Sequence, residues 1–163
     1  MLCLVRADER PGVQKWCAMV AALNETLSES KSRNPFGLVV TGEAETWRPV
    51  IEQIVGPRYL VTYRIRSKQE LLEVVRSGVA DAAVLDDSAK LGLDVLQLLR
   101  LIRRLDAALP VVVVTGNTER RWLEDALRLA AFSVVSRPLE LEELLRQIQR
   151  MMIRLNQMLR QKP

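Results

Sequence analysis

Short apolar runs and longer segments with helical spacing alternate along most of the chain. The runs typical of strands are FGLVV, RYLVTYRI, ADAAVL, PVVVVTG and FSVV. Each is followed by a segment whose apolar residues recur every three or four positions, as in an amphipathic helix. The pattern therefore predicts five strand-helix repeats between about residues 36 and 155.

The predicted strands consist almost entirely of apolar residues, with Val and Leu in near-continuous runs. Strands of this kind are buried on both faces, because crossover helices cover both sides of a parallel sheet. The expected fold class is α/β, with a doubly wound five-stranded parallel sheet. Such sheets carry their functional groups at the carboxyl ends of the strands, so these ends are where a site is expected.

The two ends of the chain extend this repeat. Residues 1–35 are expected to form a helical extension followed by the polar linker SESKSRNP. Its apolar residues fall at helical spacing over 11–27: Val13, Trp16, Cys17, Val20, Leu23 and Leu27. Residues 36–155 are expected to form the main domain, and residues 156–163 the end of a long last helix that begins near Leu139.

The last helix carries a regular apolar seam. Its members are spaced alternately by four and three residues: Leu141, Leu145, Ile148, Met152, Leu155 and Leu159. The last turns are expected to project beyond the sheet, where the seam needs a cover. A second copy of the chain or the helix at 11–27 could supply it. Pairing is favoured, so a homodimer is expected, with Leu145, Met152, Leu155 and Leu159 as interaction residues.

Composition narrows the function classes. The chain has 163 residues, 24 Lys and Arg against 20 Asp and Glu, and no His, which excludes histidine-based catalysis and zinc chemistry. Cys3 and Cys17 are too few to suggest a disulfide framework. No apolar run approaches the length of a membrane span, and the apolar part of the first residues is short for a signal peptide. We therefore expect a soluble, cytoplasmic protein without membrane association.

Three of the strand ends carry the polar sequences DDSAKLG, TGN and SRP. In order and spacing they resemble the receiver domain of bacterial two-component response regulators, over about residues 36–155. Asp87, followed by Gly92 and Asp94, matches the position of the phosphoryl-accepting Asp. Thr115-Gly116 matches the hydroxyl and small residue after the fourth strand, and Arg137-Pro138 the Lys-Pro pair after the fifth, which usually has a cis peptide bond.

The resemblance implies a flavodoxin-like sheet with strand order 2-1-3-4-5, and a pocket in which magnesium, a lysine and a hydroxyl offset the charge of a phosphoryl group. Receivers hold magnesium mainly through an acidic pair after the first strand. Thr41 and Gly42 occupy those positions in this chain. Arg137 keeps a positive charge, but a planar guanidinium is not interchangeable with a lysine ammonium.

These departures favour a degenerate, phosphorylation-independent receiver. It would be a pseudo-receiver, without enzyme activity or cofactor, in which Asp87, Thr115 and Arg137 form a remnant acceptor site. Arg137 would then be an internal counter-ion. The alternative is a working receiver that accepts a phosphoryl group on Asp87 from a histidine kinase, with magnesium held by Asp86, Asp87 and Glu43. Asp86 could equally point away from the pocket, because adjacent strand residues face opposite sides.

A protein partner is expected to bind near the start of the fourth helix, through Arg120, Arg121 and Trp122, since exposed Trp and Arg often anchor interfaces. The alternative is that Trp122 packs inward. From Arg146 to the end there are five basic residues and no acidic one. A solvated face explains this better than nucleic acid binding, which is not expected.

Overall fold

A computed structural model of the chain describes residues 35–160, except for the side chains of residues 159 and 160. Five strands alternate with five helices in this part of the chain. In order they are β1 (Phe36–Val40), α1 (Glu43–Val55), β2 (Leu60–Arg64), α2 (Lys68–Ser77), β3 (Ala82–Asp86), α3 (Val95–Leu105), β4 (Val111–Thr115), α4 (Arg120–Arg128), β5 (Ser133–Ser136) and α5 (Leu141–Arg160).

The five strands form one parallel sheet in the order β2-β1-β3-β4-β5. This confirms the predicted doubly wound, flavodoxin-like fold. The register aligns the carboxyl ends: Val40 pairs with Val84, Asp86 with Val114, and Thr115 with Ser136. The residues that follow these strands therefore meet at one edge of the sheet.

Helices cover both faces of the sheet, and each face has its own apolar cluster. One cluster joins the sheet to α1 and α5, through residues such as Ile51 and Ile148. The other joins it to α2, α3 and α4, through residues such as Leu71 and Leu99. Burial of the sheet on both faces explains the continuous apolar strands in the sequence.

Polar residues begin two of the helices. Ser67 accepts a hydrogen bond from the Glu70 N–H at 3.1 Å and caps α2. Asp94 caps α3, and Gln97 completes a reciprocal capping box with it. The carboxylate of Asp94 therefore serves the start of a helix and not the pocket.

The seam predicted on the last helix is largely part of this chain's own core. Leu145 is 0% exposed and Met152 is 2% exposed, because both pack against the sheet with α1. Their assignment as interaction residues is therefore corrected: they are core residues. Leu155 is half-buried against the same cluster, Met158 is 40% exposed, and the side chain of Leu159 lies outside the described residues.

Two sequence predictions concern the ends of the domain. The predicted extension at 1–35, with its helix at 11–27, lies almost entirely outside the described residues, which begin at Pro35. The predicted boundary between 155 and 156 falls inside α5, which continues without a break to Arg160. None of the helices within 35–160 combines the length and apolar character that crossing a bilayer requires.

Candidate functional site

Asp87, Thr115 and Arg137 lie together at the carboxyl edge of the sheet. The Thr115 hydroxyl donates a hydrogen bond of 2.5 Å to Oδ2 of Asp87. The Gly116 N–H donates to the same oxygen at 3.3 Å, and Nη2 of Arg137 donates to the other oxygen, Oδ1. Both carboxylate oxygens of Asp87 are therefore engaged by groups of the chain itself.

Asp86 also points into this pocket. It is the last residue of β3, and its side chain is 0% exposed. Its carboxylate accepts hydrogen bonds from the N–H groups of Glu43 and Ser88, each at 2.8 Å. Nη1 of Arg137 lies 3.9 Å from Oδ1 of Asp86. A single guanidinium thus lies beside both carboxylates.

Gly42 leaves the space that Asp86 fills. A Cβ atom on Gly42 would lie 2.6 Å from Cβ and 2.8 Å from Cγ of Asp86. The backbone of Gly42 has a φ of 59°, a region that favours glycine. A side chain at residue 42 is therefore sterically excluded. The carboxylate that accepts a hydrogen bond from the first N–H of α1 belongs instead to Asp86, at the end of β3.

Thr41, the other residue at the position of the acidic pair, is buried and serves the backbone. Its Oγ1 accepts from the Asp86 N–H at 2.9 Å and donates to the Val84 carbonyl at 3.3 Å. These two hydrogen bonds help to fix the backbone at the end of β3. Neither position of the pair supplies a carboxylate.

Glu43 does not join Asp86 and Asp87. Its carboxylate accepts a hydrogen bond of 3.1 Å from the Leu139 N–H, beyond the end of β5. Within residues 35–160, no three His, Cys, Asp or Glu side chains are grouped in a way that could hold a metal ion. Magnesium prefers several oxygen ligands in an octahedral arrangement. Two carboxylates that share a guanidinium do not fit that requirement.

Gly116 leaves room for the side chain of Arg137. Nη2 of Arg137 lies 3.0 Å from where a Cβ of Gly116 would be. The Arg137-Pro138 peptide bond is cis, as the resemblance implied. The indole N–H of Trp47 donates to the Leu139 carbonyl at 2.8 Å and ties the segment after β5 to α1.

The residues expected to bind a partner are only partly on the surface. Arg120 and Arg121 are exposed at the start of α4, and Arg120 pairs with Glu124 at 2.8 Å. Trp122 is half-buried and packs against the cluster under α2, α3 and α4. Trp122 therefore contributes mainly to packing, while the two arginines remain accessible.

The contact between residue 42 and the side chain of Asp86 was not predicted from the sequence. Two features of the sequence point to it. An extra acid, Asp86, stands directly before Asp87, and Gly42 stands after β1 where receivers carry an acid. The two positions are 44 residues apart by number, so only the strand order brings them together.

The sequence and the fold both resemble those of known receiver domains. The sequence profile of the response regulator receiver domain matches residues 38–149. The chain belongs to this family. The chain therefore contains the receiver domain of a two-component response regulator.

Solved receiver domains share the fold at low sequence identity. A CheY-like receiver from Methanospirillum hungatei is 14% identical with a TM-score of 0.65, over 76% of this chain and 98% of the other. The receiver of a LuxO repressor protein from Vibrio parahaemolyticus is 10% identical with a TM-score of 0.67, over 80% and 99%. A response regulator from Clostridium difficile is 20% identical with a TM-score of 0.64, over 76% and 99%.

One relative that matches part of the chain is named as an enzyme and not as a response regulator. A ribosomal RNA small subunit methyltransferase G 2 from Syntrophobacter fumaroxidans is 38% identical over 74 residues. The match covers 45% of this chain and only 14% of that protein. It concerns a small part of the methyltransferase.

Proposed function

We propose that this receiver domain is a pseudo-receiver: a cytoplasmic signalling module that acts without phosphorylation, by binding a protein partner, and has no enzyme activity of its own. One observation carries the proposal. The guanidinium of Arg137 lies against Asp86 and Asp87 together, in a pocket whose acidic pair is replaced by Thr41 and Gly42.

The chemistry of the acceptor supports this reading. Transfer of a phosphoryl group to a carboxylate gathers negative oxygens, which a site must neutralise with preorganised cations and hydrogen-bond donors. In this pocket, Arg137 and Thr115 already engage Asp87. The second carboxylate, Asp86, is fully buried and bonded to two backbone N–H groups, so it is not free to bind an ion.

Intact-mass measurement after incubation with magnesium and acetyl phosphate tests the proposal. We expect no added phosphoryl mass on the wild-type chain or on the Asp87→Asn variant. A receiver domain with a complete acidic pair, treated identically, shows that the donor is active. A phosphoryl mass on the wild-type chain that is absent from Asp87→Asn overturns the proposal.

The second candidate is a working receiver that accepts a phosphoryl group on Asp87 from a histidine kinase. It is favoured by the retained contact of Thr115 and Gly116 with Asp87. It requires Arg137 to leave the carboxylates and Glu43 to leave the Leu139 N–H. Such a movement would disturb the neighbouring Trp47, so a saturable effect of magnesium on tryptophan fluorescence supports this candidate, and its absence counts against it.

A homodimer remains part of the proposal, with a smaller surface than the sequence suggested. Because Leu145 and Met152 are core residues, pairing would rest on Leu155 and Met158 near the end of α5. Light scattering during size-exclusion chromatography measures the mass in solution. We expect Met158→Glu to lower a dimeric mass to that of one chain, whereas a monomeric wild type rejects pairing.

A further inference from the structure

A cluster of cations lies at the other end of the sheet, away from the pocket. Phe132 directly precedes β5, at the amino ends of the strands, and its ring is half-buried. The guanidinium carbons of Arg150 and Arg154 each lie 5.5 Å from the centre of this ring. We refer to these three residues as the Phe132 cluster. Contact with the ring restricts both guanidinium groups before any partner binds.

The positive charge of this cluster is uncompensated within the described chain. Neither Arg150 nor Arg154 forms an ion pair with any of residues 35–160. By contrast, Arg146 on the same helix pairs with Glu142 and Glu143. Two like charges held near one ring repel each other, so an anion bound beside them is stabilised.

A third arginine adds to this positive region. Arg103 donates to the main-chain carbonyls of the segments before β4 and β5: Asp106, Ala107, Leu109, Leu129 and Ala130. Burial lowers the pKa of Arg103; Asp106 opposes this effect and the charge of Arg154 adds to it. Arg103 is thus an anchored cation close enough to Arg154 to be felt electrostatically, and it fixes the turn that leads to Phe132.

We propose that the Phe132 cluster is a binding site for an acidic segment of a protein partner. Planar guanidinium groups bind carboxylates in a bidentate manner, and groups already held in place lose less entropy on binding. The inference specifies the partner chemistry of the proposed interaction module and rests on that function only in assuming a protein partner.

The neighbourhood of the cluster favours a protein over a nucleic acid. Ile153, on the solvent face of α5 between the two arginines in sequence, is 39% exposed. An exposed branched apolar side chain beside arginines suits a peptide that alternates acidic and apolar residues. A phosphate backbone offers nothing to Ile153. The ring of Phe132, which could otherwise stack on a base, packs against the core and is already contacted by the two guanidinium groups.

Fluorescence anisotropy with the full chain tests this site. The probe is a short fluorescent peptide rich in glutamate and leucine, and the comparison probes are an all-glutamate peptide and single-stranded RNA of equal charge. The double variant Arg150→Glu/Arg154→Glu is compared with Arg100→Glu/Arg104→Glu. The latter pair has the same spacing on α3, is exposed, and has no ion pair within residues 35–160.

We expect the glutamate-leucine peptide to bind the wild type, the Arg150/Arg154 variant to weaken binding at least about tenfold, and the α3 variant to change it less than about twofold. Phe132→Leu keeps an apolar side chain but removes the ring, and should weaken binding about threefold. Thermal unfolding checks that each variant is folded. Arg150→Gln/Arg154→Gln replaces the charge reversal if that variant unfolds.

Three results would overturn the proposal. Equal losses in the two double variants would mean that only net charge matters. Tighter binding of RNA than of either peptide, lost in the Arg150/Arg154 variant, would assign the cluster to nucleic acid. Absence of peptide binding to the wild type would reject the site. None of these results depends on whether Asp87 is phosphorylated, so failure here is distinct from failure of the phosphorylation test.

Discussion

The side chain of Asp86 and the missing side chain of Gly42 occupy the same space. A Cβ on Gly42 would come within 2.6 Å of Cβ of Asp86, which is closer than folded proteins allow. The carboxylate of Asp86 uses that space to accept the first N–H of α1, at 2.8 Å from Glu43 N. Helix α1 therefore begins on an acid that is supplied by another strand.

We expect Gly42→Ala to lower the free energy of unfolding by about 3 kcal/mol, because it adds a steric clash to a strained backbone conformation. Gly56→Ala is the matched control. Gly56 also has a positive φ outside the left-handed helical region, but a Cβ there meets nothing within 4 Å, so only about 1.5 kcal/mol should be lost. Urea unfolding of both variants measures the difference, and equal losses would contradict a clash with Asp86.

We expect that magnesium binding can be introduced by placing carboxylates at the two residues after β1 and removing the acid at residue 86. The variant Thr41→Asp/Gly42→Asp/Asp86→Gly/Arg137→Lys places two carboxylates after β1, removes the side chain of residue 86 that fills their space, and withdraws the guanidinium. We expect it to gain a saturable magnesium-dependent change in tryptophan fluorescence.

The control for this experiment is Arg137→Lys alone, which lacks the acidic pair and should not respond to magnesium. A saturable response of the wild type itself would show that the existing pocket already binds the ion. In that case, replacement of the acidic pair could not explain a loss of phosphorylation.

Burial of Leu145 in α5 predicts that its truncation costs much more stability than truncation of an exposed leucine. Leu145→Ala should lower the free energy of unfolding by about 3 kcal/mol, because the side chain is 0% exposed and its removal leaves a cavity. Leu127→Ala on α4 should change it by less than about 0.5 kcal/mol, since that side chain is 58% exposed. Similar small losses at both positions in urea unfolding would restore Leu145 as a surface residue.

Asp81 predicts a pH dependence of stability. Burial raises its pKa from the ordinary value of 3.8, although its hydrogen bond from the Gly37 N–H opposes the rise. Above the raised pKa the carboxyl group of Asp81 is charged, and burial of this charge lowers the free energy of unfolding. As the pH falls through the raised pKa, the folded chain takes up a proton before the unfolded chain does, and this penalty is relieved.

Asp81→Asn keeps an acceptor for Gly37 and removes the charge. We therefore expect it to raise the free energy of unfolding modestly at about pH 7, with the gain shrinking as the pH falls toward 3.8. Urea unfolding of both proteins over that range checks the sign. A gain that grows as the pH falls would contradict a raised pKa.

The sequence was sufficient for most of the fold. Apolar runs bounded by turns predicted the five strands, and local caps such as Asp94 depend on neighbours a few residues away, which a sequence displays directly. The seam of α5 was misjudged for a physical reason. Spacing identifies which residues share a face of a helix but not what covers it, and the sheet covers Leu145 and Met152.

The site was less predictable. Thr115, Arg137 and Asp87 could be anticipated from their places after the strands, and the structure brings them together. The direction of Asp86 could not. Alternation along a strand predicts that neighbours face opposite sides, but β3 ends at Asp86, so Asp87 is free of that constraint and both carboxylates reach Arg137.

The exchange between residues 42 and 86 also restricts how this chain could change in the future. Restoring an acid at residue 42 alone would drive two carboxyl groups into one small volume, and removing the acid at residue 86 alone would leave the first turn of α1 without its acceptor. Each of these single substitutions is expected to lower the stability of the protein. The acquisition of a carboxylate at residue 42 is therefore limited by folding as well as by any advantage of the chemistry it would bring.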